Sequence, residues 1–160
     1  MDTKFKNTWN IWFHHTKDDW SIDGYRKIYT IETISDFWKL YNNWDKLGSI
    51  NSKHFFIMKN NITPMWEDDE NKNGGCWSFK IQEKEASNLW EELSLYLVSE
   101  TISKIDDDIQ GLSICLKKNN HSIIKIWNKD TKNNNNKNIN DDIINKYYND
   151  IIYIAHMPEK

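Results

Sequence analysis

The sequence contains little cysteine, proline or glycine and has no long hydrophobic run. Its two cysteines, Cys76 and Cys115, are far apart and form no CxxC pair, which indicates a reduced protein rather than a disulfide framework. The N-terminus lacks the apolar stretch of a signal peptide, and no apolar run approaches the length of a membrane span. We therefore expect a soluble intracellular protein.

The chain also lacks an excess of positive charge, since its formal net charge is −3 at pH 7. A protein that holds long nucleic acids through their phosphates usually presents a basic surface, so any nucleic-acid contact should be short and directed at bases. Nine Trp, seven Tyr and six Phe are too many aromatic residues for a disordered chain. A length of 160 residues suits one domain, 1–160, with a single core.

Hydrophobic periodicity predicts an α+β fold. Thr33 and Asp36 resemble a capping box at the start of a helix. The strands and helices do not alternate strictly and one pair of strands forms a hairpin, so the sheet should be mostly antiparallel, with helices on one face. Strands are predicted over 9–15, 25–31, 54–59, 76–82, 109–118, 122–128 and 150–156, and further helices over 87–98 and 140–148.

Two segments are predicted to lie outside this framework. Residues 1–8 should form a short N-terminal arm. Residues 129–139, about half of them Asn, form a low-complexity segment that should be a mobile loop.

A long polar loop places an indole beside a carboxylate in the segment Thr63-Pro64-Met65-Trp66-Glu67-Asp68. An arbitrary loop Trp folds back onto a local apolar patch about half of the time. An aromatic platform also suits a guanine alkylated at N7, because the positive charge of that ring is attracted to a π face. The Glu67 carboxylate would accept from guanine N1–H and the exocyclic amine, a donor pair that adenine lacks.

Six motifs follow one another along the chain. They are Trp9-x-x-Trp12-Phe13, Trp20, Asp36-Phe37-Trp38-x-Leu40-Tyr41-Asn42, Pro64-Met65-Trp66-Glu67-Asp68, Gly74-Gly75-x-Trp77 and Ile126-Trp127. In this order they resemble the motifs of the eukaryotic translation initiation factor 4E family, which binds the 7-methylguanosine cap of messenger RNA. The resemblance implies a curved sheet with about three helices on its convex face, a ligand slot on its concave face, and no catalysis, cofactor or metal.

The resemblance assigns the cap base to four side chains. Trp20 and Trp66 would stack on the two faces of the methylated base, and Glu67 would read its edge. Trp127 would contact the N7 methyl group. Discrimination of the second nucleotide should be poor, because the family's C-terminal loop over that nucleotide has no counterpart after His156.

The phosphate grip departs from the family pattern. Lys117 falls at a family Arg position and so keeps the charge but loses the bidentate fork. Ile123 replaces a family Lys, but Lys125 shares the face of Trp127 because strand side chains alternate. We therefore predict Lys117 and Lys125 as phosphate ligands. Cys76 replaces another family Arg, so phosphate binding should be weaker than usual.

A second surface is implied on the helices. Trp38 matches the family Trp that docks the helical motif of initiation factor 4G, with Ile34 one turn before it. Glu92 matches the acid that receives an Arg from the partner. Glu91 stands where the family has Leu and Ser99 where it has Gly, which leaves the identity of the partner open.

Two alternatives to an initiation factor remain. A cap-binding repressor of the same fold would compete with the factor; the altered helical surface favours it, whereas Trp9 and Trp20 favour an activator. A cap-hydrolysing enzyme would need a helix dense in Glu for magnesium, which the sequence does not supply. The His and Cys residues lack zinc spacing, so no metal is predicted. We expect a monomer in the cytoplasm, or in the host cytoplasm if the AT-rich codon usage reflects a viral gene.

Overall fold

The computed structural model describes residues 2–15, 18–47, 54–117, 120–147 and 151–157. These ranges contain three α-helices, α1 (Ile34–Asn42), α2 (Glu83–Val98) and α3 (Asp141–Tyr147). The strands are β1 (Lys4–His14), β2 (Tyr25–Thr33), β3 (His54–Lys59), β4 (Gly75–Gln82), β5 (Ile109–Lys117), β6 (His121–Asn128) and β7 (Ile152–Ala155).

All seven strands belong to one curved, open sheet in the order β2-β1-β3-β5-β6-β4-β7. Every neighbouring pair in that order is antiparallel. The predicted hairpin is the β5–β6 pair, in which Lys117 lies opposite His121. The predicted α+β architecture with a mostly antiparallel sheet is therefore confirmed.

One face of the sheet is covered by the helices. Alternate strand residues, among them Trp9, Phe55 and Trp77, point into the large core. All three helices contribute to the same core, which includes Phe37 and Leu40 from α1, Leu89, Trp90, Leu93 and Leu97 from α2, and Ile143 and Ile144 from α3. The helices therefore lie on one side, as predicted. Within the described part of the chain, none of them has the length and apolar character needed to cross a bilayer.

The opposite face carries a second, smaller apolar cluster. Phe56 and Met58 alternate with the core residues of β3, and Trp127 and Cys76 do the same on β6 and β4. Ile62 packs beside them, while no described helix contributes to this cluster. The sheet therefore has a helix-free face that is apolar and open to ligands.

The Gly74-Gly75 pair allows three chain segments to meet at one end of β4. A Cβ on Gly74 would lie 1.8 Å from the Asn128 carbonyl oxygen, and one on Gly75 would lie 2.4 Å from that of Ile154. The Asn128 Oδ1 accepts from the Gly75 amide at 3.0 Å and from the Tyr153 hydroxyl at 2.7 Å. The close approach keeps β4 in register between β6 and β7.

Several predicted boundaries are wrong. The predicted arm 1–8 is strand from Lys4 onward, because Lys4 pairs through its main chain with Thr33 although its side chain is exposed. Helix α2 begins at Glu83 rather than Ser87, since acidic residues in the first turn stabilise the helix N-terminus.

The ends that the sequence predicted at Lys118, Tyr148 and Asp150 lie outside the described residues. The Asn-rich segment 129–139 contains two short 3-10 helices, Thr131–Asn133 and Asn136–Asn138. Side-chain caps from Asp130 and Asn135 hold them. The mobility of this loop stays a prediction.

The predicted capping box at the start of α1 is confirmed. Thr33 Oγ1 accepts a hydrogen bond from the Asp36 amide at 3.2 Å. In return, Asp36 Oδ2 accepts from the Thr33 amide at 3.1 Å and from the Glu32 amide at 2.9 Å. Donors that the first turn of a helix would otherwise leave unpaired are thus satisfied.

Replacing Thr33 by Ala should lower the free energy of unfolding by about 1 kcal/mol, because the Asp36 amide loses its acceptor. Urea denaturation followed by circular dichroism measures the change. The matched control is Gln82→Ala at the N-cap of α2, whose side chain makes no capping bond and whose loss should be near neutral. An equal effect of the two substitutions would contradict the assigned role of Thr33.

Candidate functional site

A cavity of about 370 Å³ opens on the helix-free face of the sheet. It is lined by all four predicted base-binding residues, Trp20, Trp66, Glu67 and Trp127, together with Lys125. The remaining lining residues are largely aromatic or small: Tyr25, His54, Phe56, Pro64, Met65, Cys76, Ser78, Ser113, Ile154, Ala155 and His156. We call this cavity the slot.

The floor of the slot is built by the sheet itself. Strand register sets Trp127 beside Gly111 on one side and Cys76 on the other. The Trp127 indole Nε1 donates to Ser113 Oγ at 3.1 Å, and its ring meets that of Phe56 edge-on with centroids 6.2 Å apart. Trp127 is buried, so its position is fixed by packing before any ligand arrives.

Trp20 forms one wall and lies outside the sheet. Its ring stacks on His14 with centroids 3.9 Å apart and planes 8° from parallel. A contact of 2.6 Å between His14 Nε2 and the Asp19 carbonyl oxygen holds this histidine in place. Because 56% of Trp20 remains exposed, the indole is supported from one side and still free to stack on a ligand.

Trp66 forms the other wall and projects from the loop between β3 and β4, with 47% of its surface exposed. Asp68 Oδ2 accepts from the Thr63 amide at 2.9 Å and from its hydroxyl at 2.7 Å. The fully buried Asn71 donates to the carbonyl oxygens of Thr63 and Met65 at 3.1 and 2.9 Å. Hydrogen bonds among the polar residues of this loop therefore hold the exposed Trp66 indole in position.

Glu67 presents a free carboxylate at the rim of the slot. Its side chain is exposed, and no described residue donates a hydrogen bond to it. Burial raises the pKa of the Tyr25 hydroxyl to about 12, and the negative charge of Glu67 contributes to the same shift. Glu67 thus lines the slot with a carboxylate that a ligand can reach.

Two histidines of the slot were not anticipated from the sequence. Burial lowers the pKa of His54 to about 3, and the charges of His14, Lys125 and Lys117 add to the effect. Burial likewise lowers the pKa of His156 to about 4, with a smaller contribution from Lys125. Both rings are neutral at pH 7 and act as aromatic walls. Strand parity places His54 on the face of Phe56, which is the signal that could have identified it.

The two predicted phosphate ligands differ in position. Lys125 lies on β6 opposite Ser78 and Ser113, and it lines the slot. Lys117 is exposed near the end of β5 and does not line the slot, although its charge acts on His54. Cys76 carries no charge at pH 7, since burial raises the pKa of its thiol to about 12. Lys125 is therefore the cation best placed to meet an anionic ligand.

The predicted partner residues lie on the helical side. Ile34 and Trp38 of α1 are exposed, and so is Leu95 of α2. The two helices are joined by a hydrogen bond from the Tyr41 hydroxyl to Ser94 Oγ. Leu95 was missed because the spacing of the other α2 leucines selects the buried face, and Leu95 falls outside that pattern.

Glu92 is already paired within the chain. Its Oε1 lies 3.5 Å from Lys146 Nζ on α3, and both side chains are about half exposed. A pair of this kind contributes between about 0 and 1 kcal/mol, so a partner can displace it.

No group of three or more His, Cys, Asp or Glu side chains in the described ranges is arranged to hold a metal ion. The protein has an open antiparallel sheet with helices on one side. On the other side the sheet carries a slot between two exposed indoles, and these two features define its structural class.

Comparison with known proteins identifies the family within this class. A family model described as eukaryotic initiation factor 4E matches residues 4–156. The chain belongs to the eukaryotic initiation factor 4E family. It is 32% identical over 131 residues to eukaryotic translation initiation factor 4E-1 of Caenorhabditis elegans. The aligned region covers 78% of this chain and 61% of that protein. It is 34% identical over 137 residues to initiation factor 4E1 of Drosophila melanogaster, and that alignment covers 79% of this chain and 50% of the relative. The chain thus spans half to two thirds of these relatives.

Solved structures show the same fold. Eukaryotic initiation factor 4E-3 of Ascaris suum, in complex with the m7G cap, superimposes with a TM-score of 0.83 at 23% identity and covers 99% of this chain and 94% of that one. A schistosome initiation factor 4E, complexed with m7GpppG and 4E-BP, superimposes with a TM-score of 0.72 at 23% identity and covers 83% and 75%. The predicted family resemblance is confirmed.

The buried neutral His54 should make stability depend on pH. Below pH 6.5 the unfolded chain binds a proton at this residue, whereas the folded chain does not until about pH 3. The free energy of unfolding therefore falls as the pH drops from 6.5, by about 2 kcal/mol at pH 5 from this residue, with no contribution above pH 6.5.

The His54→Phe variant keeps an aromatic ring against Phe56 and removes the proton site. Urea denaturation between pH 5 and 8 should show a shallower loss of stability in this variant, with the residual slope including His156. Equal slopes in the wild type and the variant would show that His54 titrates alike in both states.

Proposed function

We propose that this chain binds the 7-methylguanosine cap of messenger RNA in the slot, without catalysis, and recruits an initiation factor 4G-like protein through its helical face. The observation that carries the proposal is the convergence of two exposed indoles, Trp20 and Trp66, and the free carboxylate of Glu67 on one cavity. Trp20 comes from one loop and the adjacent Trp66 and Glu67 from another, so the meeting of the two indoles is not a consequence of local sequence.

The base would be held by stacking between Trp20 and Trp66. Stacking of a base on an aromatic side chain contributes about 1–3 kcal/mol, and the positive charge of a 7-methylated ring adds about 1. The free Glu67 carboxylate accepts from guanine N1–H and the exocyclic amine, which selects guanine over adenine. The buried Trp127 supplies the apolar floor that the methyl group contacts. Both faces of the base, its N1–H and amine edge, and its methyl group thus each have a partner.

The triphosphate would lie toward Lys125, with Lys117 more remote. Lys125 is the only lysine among the described lining residues, and the two slot histidines are neutral. Phosphate binding is accordingly modest, and the base carries most of the affinity.

The helical surface would dock an apolar helical segment on Ile34, Trp38 and Leu95, with Glu92 receiving a basic side chain. Two solved relatives support this assignment: initiation factor 4E-3 of C. elegans is seen with the 4E-binding protein Mextli, and the schistosome factor with 4E-BP. A repressor would use the same slot, and no observation on the slot favours it over an activator. The site of action is the cytoplasm, where capped messengers are translated.

Quenching of intrinsic fluorescence by 7-methyl-GTP, with GTP in parallel, tests cap binding. The wild type should bind 7-methyl-GTP about five- to tenfold more tightly than GTP, because only the methylated ring is cationic. Trp66→Ala should weaken binding of 7-methyl-GTP by roughly 5- to 150-fold through lost stacking, and Glu67→Gln by roughly tenfold or more through a lost charge-assisted acceptor.

Trp38→Ala is the matched control, since Trp38 is an exposed indole on the far side of the sheet. It should leave the affinity for 7-methyl-GTP unchanged. A wild type that does not distinguish the two nucleotides, or a Trp66→Ala variant that binds as well as the wild type, would refute cap recognition in the slot.

Lys125 should act on the phosphates and not on the base. Lys125→Gln is expected to weaken 7-methyl-GTP binding several-fold at low salt, with a smaller loss at high salt because the interaction is screened. Binding of the 7-methylguanosine nucleoside should be unchanged. Lys117→Gln, outside the lining, serves as the comparison and should have a smaller effect. If Lys125→Gln binds the triphosphate like the wild type at every salt concentration, Lys125 is not a phosphate ligand.

A further inference from the structure

A second, small cavity lies on the helical side of the molecule, between the end of α1 and the first half of α2. Its volume is about 110 Å³, and it is lined by Tyr41, Trp44, Ser87, Asn88, Trp90 and Glu91. We call it the α1–α2 notch. None of its lining residues belongs to the slot, and Glu91 is the one compared from the sequence with the family's partner surface.

Glu91 places an unpaired negative charge in this notch. Its neighbour Glu92 is paired with Lys146, whereas no described residue forms an ion pair with Glu91. Burial raises the pKa of the Tyr41 hydroxyl above its usual value, and the charge of Glu91 adds to that shift. Glu91 and Tyr41 both line the notch, so one ligand can contact the two side chains.

The rest of the notch is largely aromatic. Trp44 stacks on Tyr41 with centroids 5.2 Å apart and planes 18° from parallel, and it meets Trp90 edge-on at 6.3 Å. A cationic side chain suits this combination of rings and carboxylate, because it can pair with Glu91 and lie against an aromatic ring at the same time.

The notch is continuous with the surface proposed to dock the partner helix. Tyr41 follows Trp38 by one helical turn, and Glu91 precedes Leu95 by one turn. The Tyr41–Ser94 hydrogen bond ties these two helices together between the notch and the exposed Trp38 and Leu95. A segment lying on Trp38 and Leu95 can therefore reach Glu91 with a side chain.

We propose that the α1–α2 notch binds an arginine side chain of the partner, in addition to the contact at Glu92. This inference rests on the proposed function, since it assumes a helical segment on Trp38. A planar guanidinium can pair with the carboxylate through two hydrogen bonds and stack on the Tyr41–Trp44 rings at the same time. Glu91 thereby makes the surface selective for partners with a basic residue at the matching position.

The test uses the full chain and a peptide comprising the segment of 4E-BP that binds initiation factor 4E. A series of peptides carries a single Arg at each solvent-facing position, and a second series carries Gln at the same positions. Fluorescence anisotropy should identify one Arg position that tightens binding to the wild type by about fivefold or more, without an equal gain from Gln.

The protein variants locate the effect. Glu91→Gln should abolish the gain from that Arg while leaving the affinity for the parent peptide unchanged. Glu85→Gln, an exposed acid one and a half turns earlier on α2, is the matched control and should retain the gain. Quenching by 7-methyl-GTP in each variant shows that the fold is intact.

Three outcomes would overturn the inference. If no Arg position gains affinity while the parent peptide still binds in a Trp38-dependent manner, the notch has no such role and the proposed partner surface stands. If the Arg peptide still binds more tightly than the parent peptide when the protein carries Glu91→Gln, or if the Gln peptide gains as much affinity as the Arg peptide, then Glu91 does not recognise the charge. If neither the parent peptide nor any Arg peptide binds the wild type, the partner surface itself fails along with the notch.

Discussion

The structure depends on a sheet whose strands are apolar on both faces while helices cover only one. Alternation along β3 sends Phe55 and Ile57 into the core and leaves Phe56 and Met58 on the other side. Register then decides which side chains of the uncovered face, among them Lys125 and Trp127, form the floor of the slot.

The walls of the slot are fixed by a different means, since neither belongs to a strand. Trp20 is supported by the stacked ring of His14, and Trp66 by a loop that Asp68 and Asn71 close with partly buried hydrogen bonds. Preorganisation of this kind lowers the entropy that a ligand must offset on binding. The same loop that appears as an irregular acidic stretch in the sequence is thus held by several hydrogen bonds of its own.

The sequence predicted what local pattern controls. The bounds of β3 and the Thr33–Asp36 capping box follow from periodicity and cap chemistry, and both are confirmed. Pairing between distant segments could not be predicted from local pattern. Lys4 is polar yet pairs with Thr33, so the strand character of residues 4–8 was missed. His54 and His156 were overlooked because their place in the slot depends on long-range register. Lys117 shares the correct face but sits too far along β5, a distance that parity does not reveal.

The slot brings together residues that are distant in the sequence, from Trp20 through Trp66 to Trp127 and His156. It therefore exists only in the folded chain, and a ligand that occupies it shifts the unfolding equilibrium toward the folded state. A ligand at a hundred times its dissociation constant adds about 2.7 kcal/mol to the free energy of unfolding. On the proposed function that ligand is the capped messenger, so the unfolded fraction of the chain, and with it the substrate available to proteases, falls as the concentration of capped messengers rises.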